Sequence, residues 1–477
     1  MRTAPLTVAD LPGPRGLPLL GNLIGFARGG TPHRSLYRWR ERYGPTYRIR
    51  LPGTTAVVTS DPGILRAVFR ERPDGFRRGR FVSDLIDELG GHGLFSAEGD
   101  DWRRLRRIGT RGLGAASLHA SFGTVAGAAG RLRDRWQAAA ASGERVDVLD
   151  HLMRYTLEVV TGVTMGHELG GAGEGDLHRH LALVFATLRR RLNSPVPYWR
   201  LVRLPADRKV DAAVAQTGRL ILDRYAEARS RMAGGGEPGD FLTALARADL
   251  DGEEPLSDAD VVGSVLTMIV AGQESSAAAT AWAVHFLATH PEVQQRVRAE
   301  AEAELDPDGP PDAAALPRLR LAGAVIDEAI RLRPPSPFVV MEPLAETTVG
   351  GLRVGPGTPI FVLQAYGSAT DADRYPDPGA FRPGRPADAA QGEQPYLPFG
   401  SGPRFCPGRN LALLEATLLI ATICRAFTLE PDTSAGPVGE RETFALYPTN
   451  LGVRLRPASD APGVPRDARG RPATPRR

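Results

Sequence analysis

The sequence predicts a mainly α-helical protein with small β-sheets. Helical patterns fill most of the 477 residues, whereas the strand patterns are short. The longest helical pattern runs from Ser257 to about Thr289, and its middle, Val261–Ala271, is almost wholly apolar. Such a helix is expected to be buried through the centre of a large core. The clearest strands are two short ones within Thr46–Thr59, separated by the turn-forming Pro52-Gly53.

The other elements follow from local signals along the chain. Leu11–Leu23 is proline-rich and is expected to be extended, and Asp74–Ser96 is rich in glycine and arginine without a clear period. Asp61 followed by Pro62 is typical of a helix start, because aspartate caps the first turn and proline fits its first position. The further helices expected are His33–Tyr43, Glu98–Arg111, two between Ser117 and Met165 that separate near Ser142-Gly143, Asp176–Leu192, Ala206–Met232, a short one ending near Asp249, one that Pro291 begins, and Asn410–Phe427.

Composition and charge exclude several classes of protein. The formal net charge of +4 is spread along the chain, and Lys209 is the only lysine among 59 cationic residues, so no nucleic-acid-binding stripe is indicated. Two cysteines provide no disulfide framework and indicate a reducing compartment. Only ten residues precede Leu11, too few for a signal peptide or a membrane anchor, so a soluble, cytoplasmic protein is expected. Residues 1–10 are expected to be flexible, and residues 458–477 to form a disordered tail.

One of the two cysteines lies in a loop shaped by glycine and proline, Phe399–Gly408. Cys406 comes just before the apolar helix Asn410–Phe427, whose first N–H groups and dipole favour a thiolate over a thiol. Arg404 adds a permanent positive charge nearby. A lone thiolate cannot complete a tetrahedral zinc site, but it can be the single axial ligand of a haem iron. The other cysteine, Cys424, is interpreted as a small buried apolar residue.

This loop resembles the haem-binding signature of the cytochromes P450, Phe-x-x-Gly-x-Arg-x-Cys-x-Gly. Every specified position matches, at Phe399, Gly402, Arg404, Cys406 and Gly408. The resemblance implies one large helical unit of this family, over residues 11–457, with haem b held between the long central helix and the helix that follows the cysteine loop. Cys406 would be the protein ligand of the iron.

A second motif lies on the helix Glu98–Arg111. Trp102 and Arg106 are four residues apart, so they share one face of that helix. The resemblance implies that this pair, together with Arg404, binds the haem propionates. The alternative is a half-buried aromatic residue beside an ordinary surface cation.

A third motif, Ala271–Ser276, lies on the long helix. Burying Glu274 there is costly unless the carboxyl group has a partner or a function. The segment resembles the family motif Ala/Gly-Gly-x-Asp/Glu-Thr-Thr/Ser, which implies that Gly272 makes room for dioxygen beside the haem and that Glu274 and Ser275 deliver protons. Ser275 replaces the usual threonine and lacks the methyl group that restricts its rotamer. The alternative is a packing groove of small residues with Glu274 facing solvent.

A structural ion network is also implied by the resemblance. Glu328 and Arg331 are three residues apart on one helical face, and Arg385 lies in Phe381–Arg385, which resembles the family's Phe-x-Pro-x-Arg. Taken alone, a Glu-x-x-Arg pair is common on surface helices. In the family, these three side chains would hold the loop beneath the haem, because arginine can bridge a carboxylate and backbone carbonyls at once.

The resemblance further implies a monomeric monooxygenase that inserts one atom of dioxygen into a lipophilic small molecule, by hydroxylation or epoxidation, in secondary metabolism. Ferredoxin and ferredoxin reductase would supply the electrons, since no flavin or nicotinamide domain follows. The pocket walls expected are Phe81–Phe95, the loop at 193–200, Leu266–Ala271, Ser336–Val340 and Leu446–Asn450.

Arg103, Arg107 and Arg111 form one stripe on the Trp102 helix, either as a landing patch for an acidic ferredoxin or as a solvated basic face. Two other functions stay open at this point. One is a haem-thiolate enzyme that uses peroxide or rearranges its substrate, against which Glu274 and Ser275 argue. The other is a haem sensor without catalysis, in which Gly272 and Glu274 would have no purpose.

Overall fold

The structure is a computed structural model that describes residues 5–27, 31–166, 174–192, 194, 197–252, 256–306, 309, 311–385 and 396–458. Helices make up most of its regular structure. The α-helices are α1 Leu23–Ala27, α2 Pro32–Tyr43, α3 Pro62–Arg70, α4 Arg80–Glu88, α5 Gly99–Gly112, α6 Ala115–Ala120, α7 Phe122–Ser142, α8 Val148–Met165, α9 Glu174–Leu192, α10 Pro205–Ala233, α11 Phe241–Leu250, α12 Asp258–Thr289, α13 Pro291–Glu304, α14 Arg320–Leu332 and α15 Arg409–Ala426.

The strands form small sheets. They are β1 Leu6–Thr7, β2 Thr46–Leu51, β3 Thr54–Thr59, β4 Phe76–Arg78, β5 Val146–Asp147, β6 Val339–Pro343, β7 Thr347–Val349, β8 Leu352–Val354, β9 Ile360–Val362, β10 Phe427–Asp432, β11 Gly439–Glu442, β12 Leu446–Thr449 and β13 Gly452–Pro457. The largest sheet has the order β2-β3-β9-β6-β4, and the others are β1-β8-β7, β10-β13-β5 and β11-β12. β2 and β3 form the predicted antiparallel hairpin, with Thr46 opposite Thr59.

The long helix α12 passes through the core, and its start is set by a capping box. The Ser257 hydroxyl accepts a hydrogen bond from the N–H of Asp260 at 3.2 Å, and the Asp260 carboxylate accepts one from the N–H of Ser257 at 2.9 Å. α12 packs against α8, α14 and α15. α15 begins directly after the cysteine loop, so α12 and α15 are the two helices that were predicted to flank the haem. They contact each other in the structure.

Three short helices were not predicted from the sequence. α1 follows the stretch that was expected to be extended, α4 lies inside Asp74–Ser96, and α6 precedes α7 within the stretch assigned to two helices. α4 begins at Gly79 without a side-chain cap, so the usual start signal is missing. Its buried face, which includes Leu85 and Ile86, packs against the core, and this tertiary contact stabilises the helix.

In the described ranges, every helix is either too short or not apolar enough to cross a bilayer. Leu6 and Thr7 of the predicted flexible N-terminus pair in parallel with Leu352 and Arg353 of β8. Beyond Ala458, the predicted disordered tail lies outside the described residues. The division of the chain at residues 11 and 457 therefore stays a prediction.

Candidate active site

The cysteine loop is shaped by its own backbone and by the end of α3. Gly402 has a φ of 69°, and a side chain there would collide with the carbonyl oxygen of Phe69, so only glycine fits. The N–H of Cys406 donates to the carbonyl of Phe399 at 2.8 Å and closes the loop. Gly408 then caps α15, which starts at Arg409. The chain thus places the Cys406 sulfur at the N-terminal end of α15.

The two cysteines differ in their surroundings. Cys424 is buried in the core, where desolvation raises the pKa of its thiol to about 12. Burial also raises the pKa of Cys406, while the N–H groups of Gly408 and Arg409 and the charge of Arg106 lower it in part. Burial thus raises the pKa of Cys406 more than the N-terminal end of α15 lowers it. The helix end alone therefore does not produce the predicted thiolate, and a bound cation would have to stabilise it.

Arg404 connects the cysteine loop to the segment before α5. Its buried guanidinium donates to the carboxylate of Glu98, to the carbonyl of Ala97 at 2.8 Å and to that of Leu94 at 3.2 Å. It also lies over the ring of Trp102, 4.9 Å from the ring centre. The predicted partners Arg404 and Trp102 are therefore in contact in the structure.

Excess positive charge is buried around Glu98, in what we call the cationic cluster: Arg72, Arg78, Arg106 and Arg404. Desolvation lowers the pKa of all four, and repulsion from neighbouring arginines adds to this for Arg404, whose pKa falls to about 9. Arg72 is only 3% exposed, and its Nε and Nη2 atoms have no hydrogen-bond partner. In the described part of the chain, Glu98 is the carboxylate that pairs with this cluster.

The cationic cluster fits a haem. Four cations and one carboxylate leave three positive charges in excess, and a buried excess of this kind calls for an anionic partner. The two propionates of a haem would provide it. Arg106 also lies over the ring of Phe405, 4.7 Å from its centre, beside Cys406. The charges therefore lie on the side of the fold that carries the cysteine loop.

Sequence reasoning missed Arg72 and Arg78. Both lie in or next to Asp74–Ser96, where no periodic pattern singled out a residue. The only hint of these two residues was the density of arginines in this stretch, which was interpreted as a feature of amino-acid composition. Arg78 also lies over the ring of Phe95, 3.6 Å from its centre, and its N–H donates to Glu98 at 2.9 Å.

The acidic residue of the α12 motif is paired across to α9. Glu274 is buried, and its Oε1 accepts a hydrogen bond from Nη1 of Arg189 at 2.7 Å. The second oxygen, Oε2, is buried without a hydrogen-bond partner. Burial raises the pKa of Glu274, and Arg189 opposes this rise. Glu274 therefore faces neither open solvent nor a purely apolar wall.

The other two residues of the motif make contacts within the helical core. The hydroxyl of Ser275 donates to the carbonyl of Ala271, one turn earlier, at 2.7 Å. A Cβ atom on Gly272 would lie 2.9 Å from Cγ2 of Val160. Close packing of α12 on α8 therefore requires a residue without a side chain at position 272. This requirement holds whether or not Gly272 also makes room for dioxygen.

A second buried acid lies beside this motif. Glu415 of α15 is only 3% exposed, and burial raises the pKa of its carboxyl group to about 8. The hydroxyl of Ser276, which follows Ser275, hydrogen-bonds to this group. The sequence signal was available, because Glu415 is the only acid in the otherwise apolar run of α15.

A cavity lies against α12. Its walls come from α4, the segment after it, α9, α12 and one residue near the C-terminus: Ile86, Leu89, Gly91, Phe95, Val184, Leu188, Leu266, Thr267, Val270, Ala271 and Phe444. The predicted walls Phe81–Phe95 and Leu266–Ala271 contribute to it. The described residues of Ser336–Val340, of Leu446–Asn450 and of the loop at 193–200 are not among those that line it.

The predicted ion network joins α14 to the segment that precedes the cysteine loop. Arg331 donates to both oxygens of Glu328, at 2.7 and 2.8 Å, and Arg385 donates to Oε1 of Glu328 at 2.8 Å. Both arginines also bind backbone carbonyls between residues 368 and 380. The three predicted residues are thus brought together as a buried network.

Comparisons with known proteins agree with this architecture. A sequence profile described as Cytochrome P450 matches residues 11–454. Cyclooctat-9-en-7-ol 5-monooxygenase from Streptomyces melanosporofaciens is 30% identical over 431 residues, which cover 90% of each chain. The mitochondrial 25-hydroxyvitamin D-1 alpha hydroxylase of Homo sapiens is 28% identical, covering 93% of this chain and 91% of its own.

Among solved structures, the cytochrome P450DA heme domain superposes with a TM-score of 0.83 at 24% identity. The match covers 95% of this chain and 98% of the other. The predicted fold class, mainly helical with small sheets, is confirmed by this likeness.

Proposed function

Because the chain belongs to the cytochrome P450 family, an oxidoreductase family, we propose that it is a haem b-dependent monooxygenase acting on a lipophilic small molecule. It would insert one atom of dioxygen by hydroxylation or epoxidation. One observation carries the proposal: the cavity and the acid–hydroxyl pair share α12. Ala271 lines the cavity, and the hydroxyl of Ser275 donates to the carbonyl of that same residue.

When bound, the haem would supply the iron that activates dioxygen. The chain would hold it through the Cys406 sulfur and through the cationic cluster, whose guanidinium groups match carboxylates in shape and charge. Arg404 is suited to this task because its side chain is already fixed by Glu98 and by the carbonyls of Leu94 and Ala97.

Glu274 and Ser275 would move protons towards the reacting oxygen. Burial raises the pKa of Glu274 and Arg189 opposes this rise, so the carboxyl group holds its proton more tightly than an exposed glutamate does. Arg189 is one-third exposed, which links the buried acid to the surface. The apolar cavity walls would exclude water and orient a mostly hydrocarbon substrate. The Streptomyces relative, named for an unsaturated alcohol, supports a substrate of this class.

Electrons would arrive from a ferredoxin and its reductase. α5 presents Arg103, Arg107 and Arg111, and Phe405 of the cysteine loop, 46% exposed, lies beside Arg106. Arg103 pairs with Asp74 and Asp100. Reversing Arg103 and Arg107 to Glu should slow reduction by ferredoxin while sparing peroxide-driven turnover.

The test begins with purified, haem-loaded protein. Its reduced carbon monoxide complex should show the strongly red-shifted Soret band of a thiolate-ligated haem, and Cys406→Ala should lose it. Ferredoxin-driven turnover of a lipophilic compound library, with products identified by mass spectrometry, should then yield products one oxygen heavier. A histidine-type spectrum in folded protein would refute the proposal. Turnover only with peroxide would favour the peroxide-using alternative.

A further inference from the structure

The segment Gly90–Gly93 lies directly on the long helix α12. A side chain on Gly263 of α12 would collide with the carbonyl of His92. A Cβ atom on Gly93 would lie 2.6 Å from Oγ1 of Thr267 and 2.7 Å from the carbonyl oxygen of Gly263. The segment and the helix therefore meet backbone to backbone, which glycine alone allows.

One side-chain hydrogen bond crosses this contact. The hydroxyl of Thr267 donates to the carbonyl of Gly91 at 2.9 Å. Thr267 is only 4% exposed, and both it and Gly91 line the cavity. Both residues of this bond therefore belong to the cavity wall, and the bond joins α12 to the segment Gly90–Gly93.

Among the described residues that line the cavity, Thr267 is the one with a polar side chain. The other described residues that line the cavity are aliphatic, phenylalanine or glycine. A hydroxyl carries one donor and two acceptor lone pairs. Because its proton is engaged by Gly91, Thr267 can still accept a hydrogen bond but has no proton left to donate.

We propose that Thr267 selects a mostly hydrocarbon substrate that carries a hydroxyl group, by accepting a hydrogen bond from that hydroxyl. The inference rests on the proposed monooxygenase function. A ketone of the same shape offers only acceptors, so it must either remain unpaired or take the proton of Thr267. The second choice leaves the buried carbonyl of Gly91 without a partner, which is unfavourable. The wall thus favours an alcohol over the matching ketone.

The test uses haem-loaded protein and two matched cage compounds, 2-adamantanol and 2-adamantanone. Their dissociation constants come from titration of the haem spin-state change. The alcohol should bind about two- to tenfold more tightly than the ketone, as one net hydrogen bond predicts. Thr267→Val keeps the side-chain shape but lacks the hydroxyl, and should bring the ratio of the two constants close to one. Thr267→Ser keeps the hydroxyl and should keep the ratio.

The ratio isolates the hydroxyl, because any loosening of Gly90–Gly93 in Thr267→Val affects both compounds alike. An unchanged preference in Thr267→Val, or no preference in the parent protein, would overturn the inference. So would the absence of any spin-state change with either compound in protein that has the thiolate-type carbon monoxide spectrum. A protein that lacks this spectrum would instead contradict the proposed function.

Discussion

Arg331→Ala is the substitution for which the structure gives the most definite consequence. Arg331 is only 3% exposed, and it joins Glu328 to the carbonyls of Ser368 and Pro378. None of these atoms belongs to the cavity wall. The variant should therefore lose stability and haem content, with no direct effect on the substrate cavity.

The size of the loss follows from the partners left behind. Glu328 keeps the Nε of Arg385 at 2.8 Å and the N–H of Arg382 at 2.9 Å, so its charge is not stranded. The carbonyls of Ser368 and Pro378 lose the donor that Arg331 supplied, at about 1–3 kcal/mol for each buried group. Because Glu328 keeps Arg385, the larger penalty for an uncompensated buried charge does not apply. From the two carbonyls, we expect the free energy of unfolding to fall by about 2–6 kcal/mol.

Urea unfolding followed by tryptophan fluorescence, together with haem content per chain, measures this loss. Arg382→Ala is the matched control, because its side chain is exposed and pairs with the exposed Asp377; it should cost less than about 1 kcal/mol. Arg331→Lys keeps the charge without the planar fork and should fall between the two. If Arg331→Ala and Arg382→Ala unfold at the same urea concentration, the network contributes nothing and the reasoning is wrong.

Three further predictions concern the acids and hydroxyls around α12. Ser275→Ala should increase the peroxide formed per reducing equivalent with substrate binding nearly unchanged, and equal peroxide yields would place proton delivery elsewhere. Glu274 must be protonated to donate, so its pKa sets the falling limb of the pH profile of kcat. Arg189→Met removes the charge that opposes the raised pKa of Glu274 and should move this limb to higher pH, whereas Arg189→Lys should leave it in place. Glu415, whose pKa of about 8 lies above its ordinary 4.5, binds its proton more tightly in the folded state. Stability should therefore fall as pH rises from about 4.5 to 8, and urea unfolding of Glu415→Gln should show no such fall.

Elements with local signals were predictable from the sequence. The start of α12 follows from Ser257 and Asp260, and the β2–β3 hairpin follows from Pro52-Gly53, because caps and turns are decided within a few residues. α4 was missed because neither a cap nor a clear period marks it; buried contacts of Leu85 and Ile86 with distant elements stabilise it.

The parts of the site that belong to motifs with a fixed residue spacing were predictable from the sequence. The cysteine loop and the trio of Glu328, Arg331 and Arg385 follow from motifs. The cationic cluster does not follow from a motif, because Arg72 and Arg404 lie far apart in sequence and meet only after folding. The packing of Gly272 against Val160 was equally hidden, since a sequence does not show which neighbour a glycine faces.

The segment between α4 and α5 is attached at both ends to parts of the site with different tasks. At its beginning, the carbonyl of Gly91 accepts a hydrogen bond from Thr267 on the cavity wall. At its end, the carbonyls of Leu94 and Ala97 bind Arg404, two residues from Cys406. Phe95, which lines the cavity, lies between these attachments. One short segment therefore contacts both the cysteine loop and the cavity wall, so its position is fixed jointly by Thr267 and Arg404.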